Sequence, residues 1–370
     1  MPRPPSRPQS TLQPIRPDFA SRLLTHLRTT FASPELEYTE PPQVITGGFD
    51  TLTYSLALGG GAEEICRPLI LRVFRTEHPS AVLKSAERVR FESVIQNTIG
   101  RLGFPAPRVL HTCTDAEIIG APFLLMERLP GHIMLDLFVR PSRVWLRLPD
   151  LLAEAHARLH SLEGAELERA VRDAGLPPRA LTPADNPELA SRIERASLNG
   201  LRAGIDWLLP KESTSARSHS ICHGDFHPLN VLVNGGAVSG VIDWTYTRIA
   251  DPAYDVGATI ALFGQGPIDL PAFVQSAAGI FRRWIIRRYY GAYRRLRPID
   301  RGATRYYEAM RCLGFLVEAG EHRQADLGVI ARPEKPTAFG APRTVGGIIA
   351  RFREITGVEL ALPAQGVKVR

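Results

Sequence analysis

Residues 220 to 255 place acidic side chains inside a run of short apolar strands. The segment reads SICHGDFHPLNVLVNGGAVSGVIDWTYTRIADPAYD and contains four aspartates. Burying a carboxylate among Ile, Val and Leu side chains is costly unless a cation or hydrogen-bond donors compensate the charge. We therefore expect this segment to fold around a metal ion and a charged ligand.

The spacing of the polar residues in this segment follows a known chemical pattern. His223, Asp225 and Asn230 stand as H-x-D-x-x-x-x-N, which is the spacing of a kinase catalytic loop, and Asp243 follows at the end of an apolar strand. Phosphoryl transfer requires a carboxylate that orients the acceptor hydroxyl and accepts its proton. It also requires hard oxygen ligands for Mg²⁺. Asn230 and Asp243 are the predicted magnesium ligands.

Three segments of the chain resemble one family. HGDFHPLNVLV, GVIDWTYTRIADPAYDVG and PFLLMERLPG are similar to segments of the aminoglycoside phosphotransferases and choline kinase-like enzymes. The resemblance implies a protein-kinase-like bilobal α+β fold. It also implies that ATP or GTP, with Mg²⁺, phosphorylates a hydroxyl of a small molecule. By this resemblance Asp225 is the catalytic base.

The chain is predicted to have three parts. Residues 1–17 are a tail rich in proline and arginine, which we expect to be disordered. Residues 18–130 read as a small antiparallel-sheet lobe with one helix, which would bind the nucleotide. Residues 131–370 read as a larger, mainly helical lobe, which would carry the catalytic loop and the acceptor site.

Two places in the N-terminal lobe are candidates for contacts with the nucleotide. Gly47 and Gly48 lie at a strand-to-strand turn in ITGGFDTLTY. Glycine lets backbone N–H groups approach phosphates closely, although such a pair is also an ordinary hairpin turn. Glu127, after FLLM, lies where backbone groups would bind adenine. The absence of a Walker A motif excludes a P-loop NTPase.

Arg72 occupies the position on the third strand at which kinases carry a lysine. Arginine stays charged and presents a fork of donors to phosphate oxygens. Members of the resembled family also use arginine there. Its expected partner is Glu92 in the following helix, and Glu87 is the alternative.

Two features separate this chain from protein kinases. Gly224 stands where protein kinases carry the arginine that binds a phosphorylated activation loop. Only TYTRIA separates IDW from DPAYD, which is too short for an activation segment and a peptide platform. Both features favour a small-molecule acceptor.

The distribution of charge favours a neutral or anionic acceptor. The chain has 45 Lys and Arg against 38 Asp and Glu, and residues 281–311 contain ten arginines. The resembled family forms its acceptor pocket from C-terminal helices, and such a positive field would repel a polycation. A macrolide-like, sugar, hydroxy-acid or CoA-linked hydroxyl would suit it. A solvated helix face or a nucleic-acid surface is the alternative for this segment.

Other features of the sequence constrain the function less. The four cysteines are widely spaced, which is typical of reduced thiols in a cytoplasmic protein, and they predict no zinc site. No run of residues is long and apolar enough to predict a membrane span. No recognised motif supports nucleic-acid binding. A catalytically inactive, kinase-like binding module remains the alternative, and the sequence leaves the oligomeric state open.

Overall fold

The computed structural model describes residues 18–45, 51–74, 83–138, 143–183, 185–211, 220–266, 272–333 and 336–364. The predicted tail, residues 1–17, and the glycine turn at Gly47 and Gly48 lie outside the described residues. The chain divides into two compact units. The first comprises Met1–Asn97 and Pro107–Arg128, and the second comprises Thr98–Ala106 and Leu129–Arg370.

The first unit is built on a five-stranded antiparallel sheet in the order β1-β2-β3-β5-β4. Two helices accompany the sheet. In chain order the elements are α1 (Phe19–Thr30), β1 (Glu37–Val44), β2 (Leu52–Gly59), β3 (Pro68–Val73), α2 (Ser85–Arg101), β4 (Val109–Cys113) and β5 (Phe123–Glu127).

Strand β5 shows why both faces of this sheet are covered. Successive side chains of a strand point to opposite faces. Phe123 and Leu125 belong to the apolar cluster that contains α1, whereas Leu124 and Met126 belong to the cluster that contains Val89 of α2. A strand that is buried on both faces reads as a continuous apolar run, as PFLLM does in this sequence.

The second unit is mainly helical and contains two small sheets. Strand β7 pairs with β10, and a second sheet has the order β6-β8-β9. In chain order the elements are β6 (His132–Ile133), α3 (Met134–Phe138), α4 (Leu148–His160), α5 (Gly164–Asp173), α6 (Asp185–Arg195), α7 (Arg202–Leu208), β7 (Ser220–Cys222), β8 (Val231–Asn234), β9 (Ala237–Val241), β10 (Arg248–Ala250), α8 (Pro252–Gln265), α9 (Ala272–Leu296), α10 (Arg301–Asp326) and α11 (Pro342–Thr356).

The core of the second unit forms where α6, α7, α8, α10 and α11 pack together. Leu313 of α10, Ile205 of α7 and Phe352 of α11 are buried in this cluster. The loop between β7 and β8 carries Asp225. None of the described helices combines the length and the apolar character that crossing a membrane requires. The α+β architecture expected from the sequence is confirmed.

Candidate active site

Asp225 lies in the loop that joins β7 to β8, and both of its carboxylate oxygens have partners. His227 Nε2 lies 3.1 Å from Oδ2. Arg311 Nη2, on α10, donates to Oδ1 at 3.2 Å. The backbone N–H of Leu229 donates to His227 Nδ1, so the ring proton lies on Nε2 and points at the carboxylate. His227 therefore fixes the orientation of Asp225.

The surroundings of Asp225 keep it ionised. Burial alone would raise its pKa, but His227, Arg311 and His223 hold the pKa of this carboxyl well below its usual range. An ionised carboxylate accepts hydrogen bonds only. Asp225 is thus able to accept a hydrogen bond from a hydroxyl group.

Asn230 and Asp243 are brought together by backbone pairing. The N–H of Ile242 donates to the carbonyl of Asn230 at 2.9 Å, directly before Asp243. Asn230 Nδ2 donates to the carbonyl of Asp225 at 3.0 Å, which leaves the amide oxygen as a ligand atom. An amide oxygen and a carboxylate are hard oxygen donors of the kind that Mg²⁺ prefers. The donor set fits the predicted magnesium site.

The backbone of Asp243 has an uncommon conformation. Its φ of 65° and ψ of 66° place it in the left-handed region. A residue other than glycine is held there only when its surroundings determine it, at a cost on the order of 1–3 kcal/mol. Thr245 Oγ1 donates to Asp243 Oδ1 at 2.8 Å. The turn thus orients the carboxylate at the end of β9.

Gly224 cannot be replaced by a larger residue without movement of the backbone. Its φ is +81°, and an added Cβ would lie 2.1 Å from the carbonyl oxygen of Tyr246. Real Cβ atoms essentially never approach an oxygen so closely. The sequence showed that the protein-kinase arginine is missing here, and the structure supplies a steric reason for the glycine.

Asp255 of α8 binds the backbone of the loop that carries Asp225, a contact that the sequence did not reveal. Its Oδ2 and Oδ1 accept hydrogen bonds from the backbone N–H groups of His223 and Gly224 at 2.5 and 2.7 Å. His156 Nε2 and His160 Nε2, on α4, lie 3.2 and 3.3 Å from Oδ2. All these side chains are buried.

The two histidines donate their Nε2–H groups to Asp255, because an ionised carboxylate only accepts hydrogen bonds. On the other side of each ring, Tyr289 OH and Tyr293 OH lie 2.7 Å from Nδ1 of His156 and His160. Burial lowers the pKa of His156 to about 3, with a further contribution from His160. Burial alone would raise the pKa of Asp255, but the hydrogen bonds from the histidines hold it below its usual range. A buried carboxylate with this many donors is well stabilised.

His223 and Asp251, in the same segment, also have defined partners. His223 Nε2 lies 3.0 Å from the carbonyl of Ile242, and its Nδ1 accepts from the N–H of Asp225, so both ring nitrogens bind the backbone. His223 is therefore held in place by the backbone. Asp251 accepts a hydrogen bond from the N–H of Ala253 and caps α8.

Within the first unit, Arg72 and Glu92 form a buried ion pair. Arg72 Nη1 lies 2.8 Å from Glu92 Oε1, and Arg72 Nε donates to Thr51 Oγ1 at 3.0 Å. The alternative partner, Glu87, instead accepts a hydrogen bond from the N–H of Lys84 at the start of α2. Contact with nucleotide phosphates stays a prediction for Arg72.

Glu127 ends strand β5 and is tied to its neighbours. Its Oε1 accepts a hydrogen bond from the N–H of Arg108 at 3.0 Å. The next residue, Arg128, donates its backbone N–H to the carbonyl of Pro68. The backbone at this strand end is therefore well defined, and its part in binding adenine stays a prediction.

The arginines of segment 281–311 do not form one cluster around Asp225. Most of those with a described partner stabilise helix packing or loop ends, and Arg311 is the one that contacts Asp225. Asp150 binds Arg288 and Arg295, carbonyl oxygens bind Arg282 and Arg305, and Ser220 binds Arg297. Among these contacts, Arg311 is thus the one arginine of the segment that binds Asp225.

The chain belongs to the phosphotransferase enzyme family. The family model matches residues 42–299, which is more than half of the chain and includes Asp225, Asn230 and Asp243. Phosphate transfer is therefore the chemistry that the family shares.

Solved structures share the fold over nearly the whole chain. A provisionally named aminoglycoside phosphotransferase of Ralstonia eutropha JMP134 has a TM-score of 0.58 at 16% identity and covers 91% of this chain and 95% of that one. A thermostable mutant of aminoglycoside phosphotransferase APH(4)-Ia, in a ternary complex with ADP and hygromycin B, has a TM-score of 0.51 at 16% identity and covers 90% and 98%. The protein-kinase-like fold expected from the sequence is confirmed.

The chain is also similar to a protein that is not named as a phosphotransferase. Human acyl-CoA dehydrogenase family member 11 is 24% identical over 213 residues, which are 55% of this chain and 27% of that protein. The similarity thus spans about a quarter of the length of this relative.

Proposed function

We propose that this protein transfers the γ-phosphate of ATP or GTP to a hydroxyl group of a small molecule. The observation that carries the proposal is the ionised Asp225, oriented by His227 and lying beside Asn230 in a loop that Asp255 supports. The family match over residues 42–299 supports the same chemistry.

In the proposed reaction Asp225 accepts the proton of the acceptor hydroxyl. The hydroxyl oxygen forms a bond to the γ-phosphorus while the bond from that phosphorus to the bridging oxygen breaks. The products are a phosphate monoester, a nucleoside diphosphate and one proton, which Asp225 later releases to water. Holding the two reactants in line accounts for much of the rate enhancement in such transfers.

The remaining site residues have proposed binding roles. Asn230 and Asp243 would hold Mg²⁺, which when bound neutralises charge on the phosphates. Arg72, fixed by Glu92, would donate to phosphate oxygens as a fork. Gly47 and Gly48 would offer backbone N–H groups to the phosphates, and the backbone beside Glu127 would bind the base.

For the acceptor, we propose a neutral or anionic molecule. Arg311 beside Asp225 would repel a cationic group at the point where the hydroxyl must bind. Among the acceptor classes that the sequence admits, the name of the acyl-CoA dehydrogenase relative favours a hydroxyl linked to CoA.

The proposal is tested by coupled nucleoside diphosphate release with Mg-ATP and with Mg-GTP. The acceptor panel contains aminoglycosides, sugars, a macrolide, hydroxy acids and hydroxyacyl-CoA thioesters. We expect release that depends on a neutral or anionic acceptor and that is lost in Asp225→Asn, because the amide cannot accept the proton. Nucleotide affinity should change little in this variant.

Two outcomes would contradict the proposal. Turnover retained in Asp225→Asn would exclude the catalytic role of this residue. Mg²⁺-dependent nucleotide binding without transfer to any acceptor of the panel would favour the inactive binding module instead.

A further inference from the structure

Arg311 combines a fixed position with unused hydrogen-bonding capacity. Its guanidinium carbon lies 5.2 Å from the centre of the Phe315 ring, which is one turn further along α10. Within the described residues it makes one hydrogen bond, to Asp225 Oδ1, and its buried Nε has no hydrogen-bond partner there. A guanidinium carries five N–H donors, so most of them remain to be satisfied.

Arg311 lies next to the oxygen of Asp225 that a hydroxyl can reach. His227 binds Oδ2 and Arg311 binds Oδ1. A carboxylate oxygen can accept more than one hydrogen bond, so Oδ1 can still accept one from a hydroxyl. The side chain of Arg311 is 34% exposed, so its remaining donors are within reach of a bound molecule.

We propose that Arg311 binds an acyl oxygen of the acceptor, a carboxylate or a thioester carbonyl, close to the hydroxyl that is phosphorylated. This inference rests on the proposed function. The acyl oxygen takes the unused donors of Arg311, next to the Asp225 oxygen that accepts the hydroxyl. Both acceptor forms supply a planar sp² oxygen that suits the fork of a guanidinium.

The geometry limits the distance between the two acceptor groups. Arg311 Nη2 and Asp225 Oδ1 are 3.2 Å apart. A hydroxyl on one and an acyl oxygen on the other, each at about 2.7–3.0 Å, must lie within a few bonds of each other. We therefore infer an acceptor with its hydroxyl on carbon 2, 3 or 4 of an acyl chain.

Arg351 provides a matched control because carboxylates other than Asp225 bind its guanidinium group. It lies on α11 and binds both carboxylate oxygens of Glu308 on α10, at 2.6 and 2.9 Å. It also pairs with Glu354. Arg351→Met removes the same functional group as Arg311→Met and breaks a packing contact between helices, without touching Asp225.

The test uses three matched acceptors with the same chain and hydroxyl position. These are a hydroxy acid, its CoA thioester and the diol that lacks the acyl oxygen, each with the hydroxyl on carbon 2, 3 or 4. Apparent KM and kcat are measured for wild type, Arg311→Met, Arg311→Lys and Arg351→Met. Circular dichroism and thermal unfolding show whether each variant is folded.

We expect Arg311→Met to raise KM at least tenfold for the acid, the thioester or both, and to leave KM for the diol and for the nucleotide unchanged. The form that responds identifies the source of the acyl oxygen. Arg311→Lys should restore part of the affinity, and Arg351→Met should leave the preference among the three acceptors intact.

Several results would overturn the inference and leave the proposed function standing. An equal loss of kcat with all three acceptors would mean that Arg311 acts on the transferred phosphate. Unchanged KM values would mean that it binds no acceptor group. Phosphorylation of other panel acceptors only, such as sugars, would also overturn it. If wild type phosphorylates no acceptor of any class, the proposed function itself fails.

Discussion

Asp255 Oδ1 accepts a hydrogen bond of 2.7 Å from the backbone N–H of Gly224, across 31 residues of sequence. The neighbouring N–H of His223 donates to the other oxygen of the same carboxylate. The position of Asp225, the next residue, thus depends on a carboxylate that is fully buried. Asp255 is a positioning residue, whereas Asp225 is the proposed catalytic residue.

Replacing Asp255 should unfold or misplace the catalytic loop. Asp255→Ala leaves two backbone donors and two histidine donors buried without a partner, and losing one member of such a pair costs about 3–5 kcal/mol. Asp251→Ala removes only a helix cap, which costs about 0.5–2 kcal/mol. Urea unfolding of both variants measures the difference. Equal losses of stability would contradict the supporting role of Asp255.

A partly buried histidine with a lowered pKa should make the protein less stable in mild acid. Burial first, and then His26, lowers the pKa of His111 to about 4 from its ordinary value of 6.5. Between these two pH values the unfolded chain binds more protons than the folded chain, so stability rises with pH and falls as pH drops from 7 toward 4. One such group contributes up to about 1.4 kcal/mol per pH unit.

This pH dependence is measured by urea unfolding at pH 7.5, 6.0 and 5.0. His111→Gln should show a smaller loss of stability between pH 6.0 and 5.0 than the wild type, because glutamine does not titrate. Asp255 also loses stabilisation in acid, but its depressed pKa places that loss below the ordinary aspartate range. Identical slopes in the wild type and His111→Gln would contradict the assignment.

The buried pair of Arg72 and Glu92 should matter for nucleotide binding. Arg72→Met and Glu92→Gln are each expected to raise the apparent KM for the nucleotide about tenfold or more, since hydrogen bonds to charged groups contribute about 1.5–3 kcal/mol. The double variant should lose less than the sum of the single losses.

Arg67→Met is the control for this pair. Arg67 lies 3.9 Å from Glu127, and its side chain is 39% exposed. Exposed pairs of this kind contribute about 0–1 kcal/mol. If Arg67→Met raised the nucleotide KM as much as Arg72→Met, a general loss of positive charge would explain the effect.

Gly224→Ala should abolish or strongly reduce turnover. The added methyl group collides with the carbonyl of Tyr246, and φ is positive at this residue. The loop must shift, and Asp225 shifts with it. Gly235→Ala is the control, because it too has a positive φ, of +58°, but meets no atom within 4 Å. An equal loss of turnover in the two variants would show that backbone strain alone is responsible. Normal turnover in Gly224→Ala would contradict the prediction.

The H-x-D-x-x-x-x-N pattern and the aspartate after it were visible in the sequence because their members are local. Asp225, Asn230 and Asp243 lie on one loop and the strands that follow it, and backbone pairing of Asn230 with Ile242 brings them together. The pair of Arg72 and Glu92 was predictable for a related reason, since a strand and the next helix carry it. The short apolar runs of the N-terminal lobe also indicated the α+β fold.

The contacts that the sequence did not reveal join distant parts of the chain. Arg311 and Asp225 are 86 residues apart, and nothing in the arginine-rich segment distinguishes Arg311 from its neighbours. His156 and His160 do show a spacing of four on one helix, which places both rings on one face. Their partner Asp255 is more than 90 residues away. Only helix packing shows that these groups meet.

The proposed phosphate transfer is tested most directly by following label from γ-³²P-ATP or γ-³²P-GTP to an isolated acceptor. The acceptor panel is incubated with wild type and with Asp225→Asn, in Mg²⁺, and the organic products are separated. We expect a labelled phosphate monoester of a neutral or anionic hydroxyl compound with wild type and none with the variant. Label found only in inorganic phosphate, or equally in the products of both proteins, would contradict it.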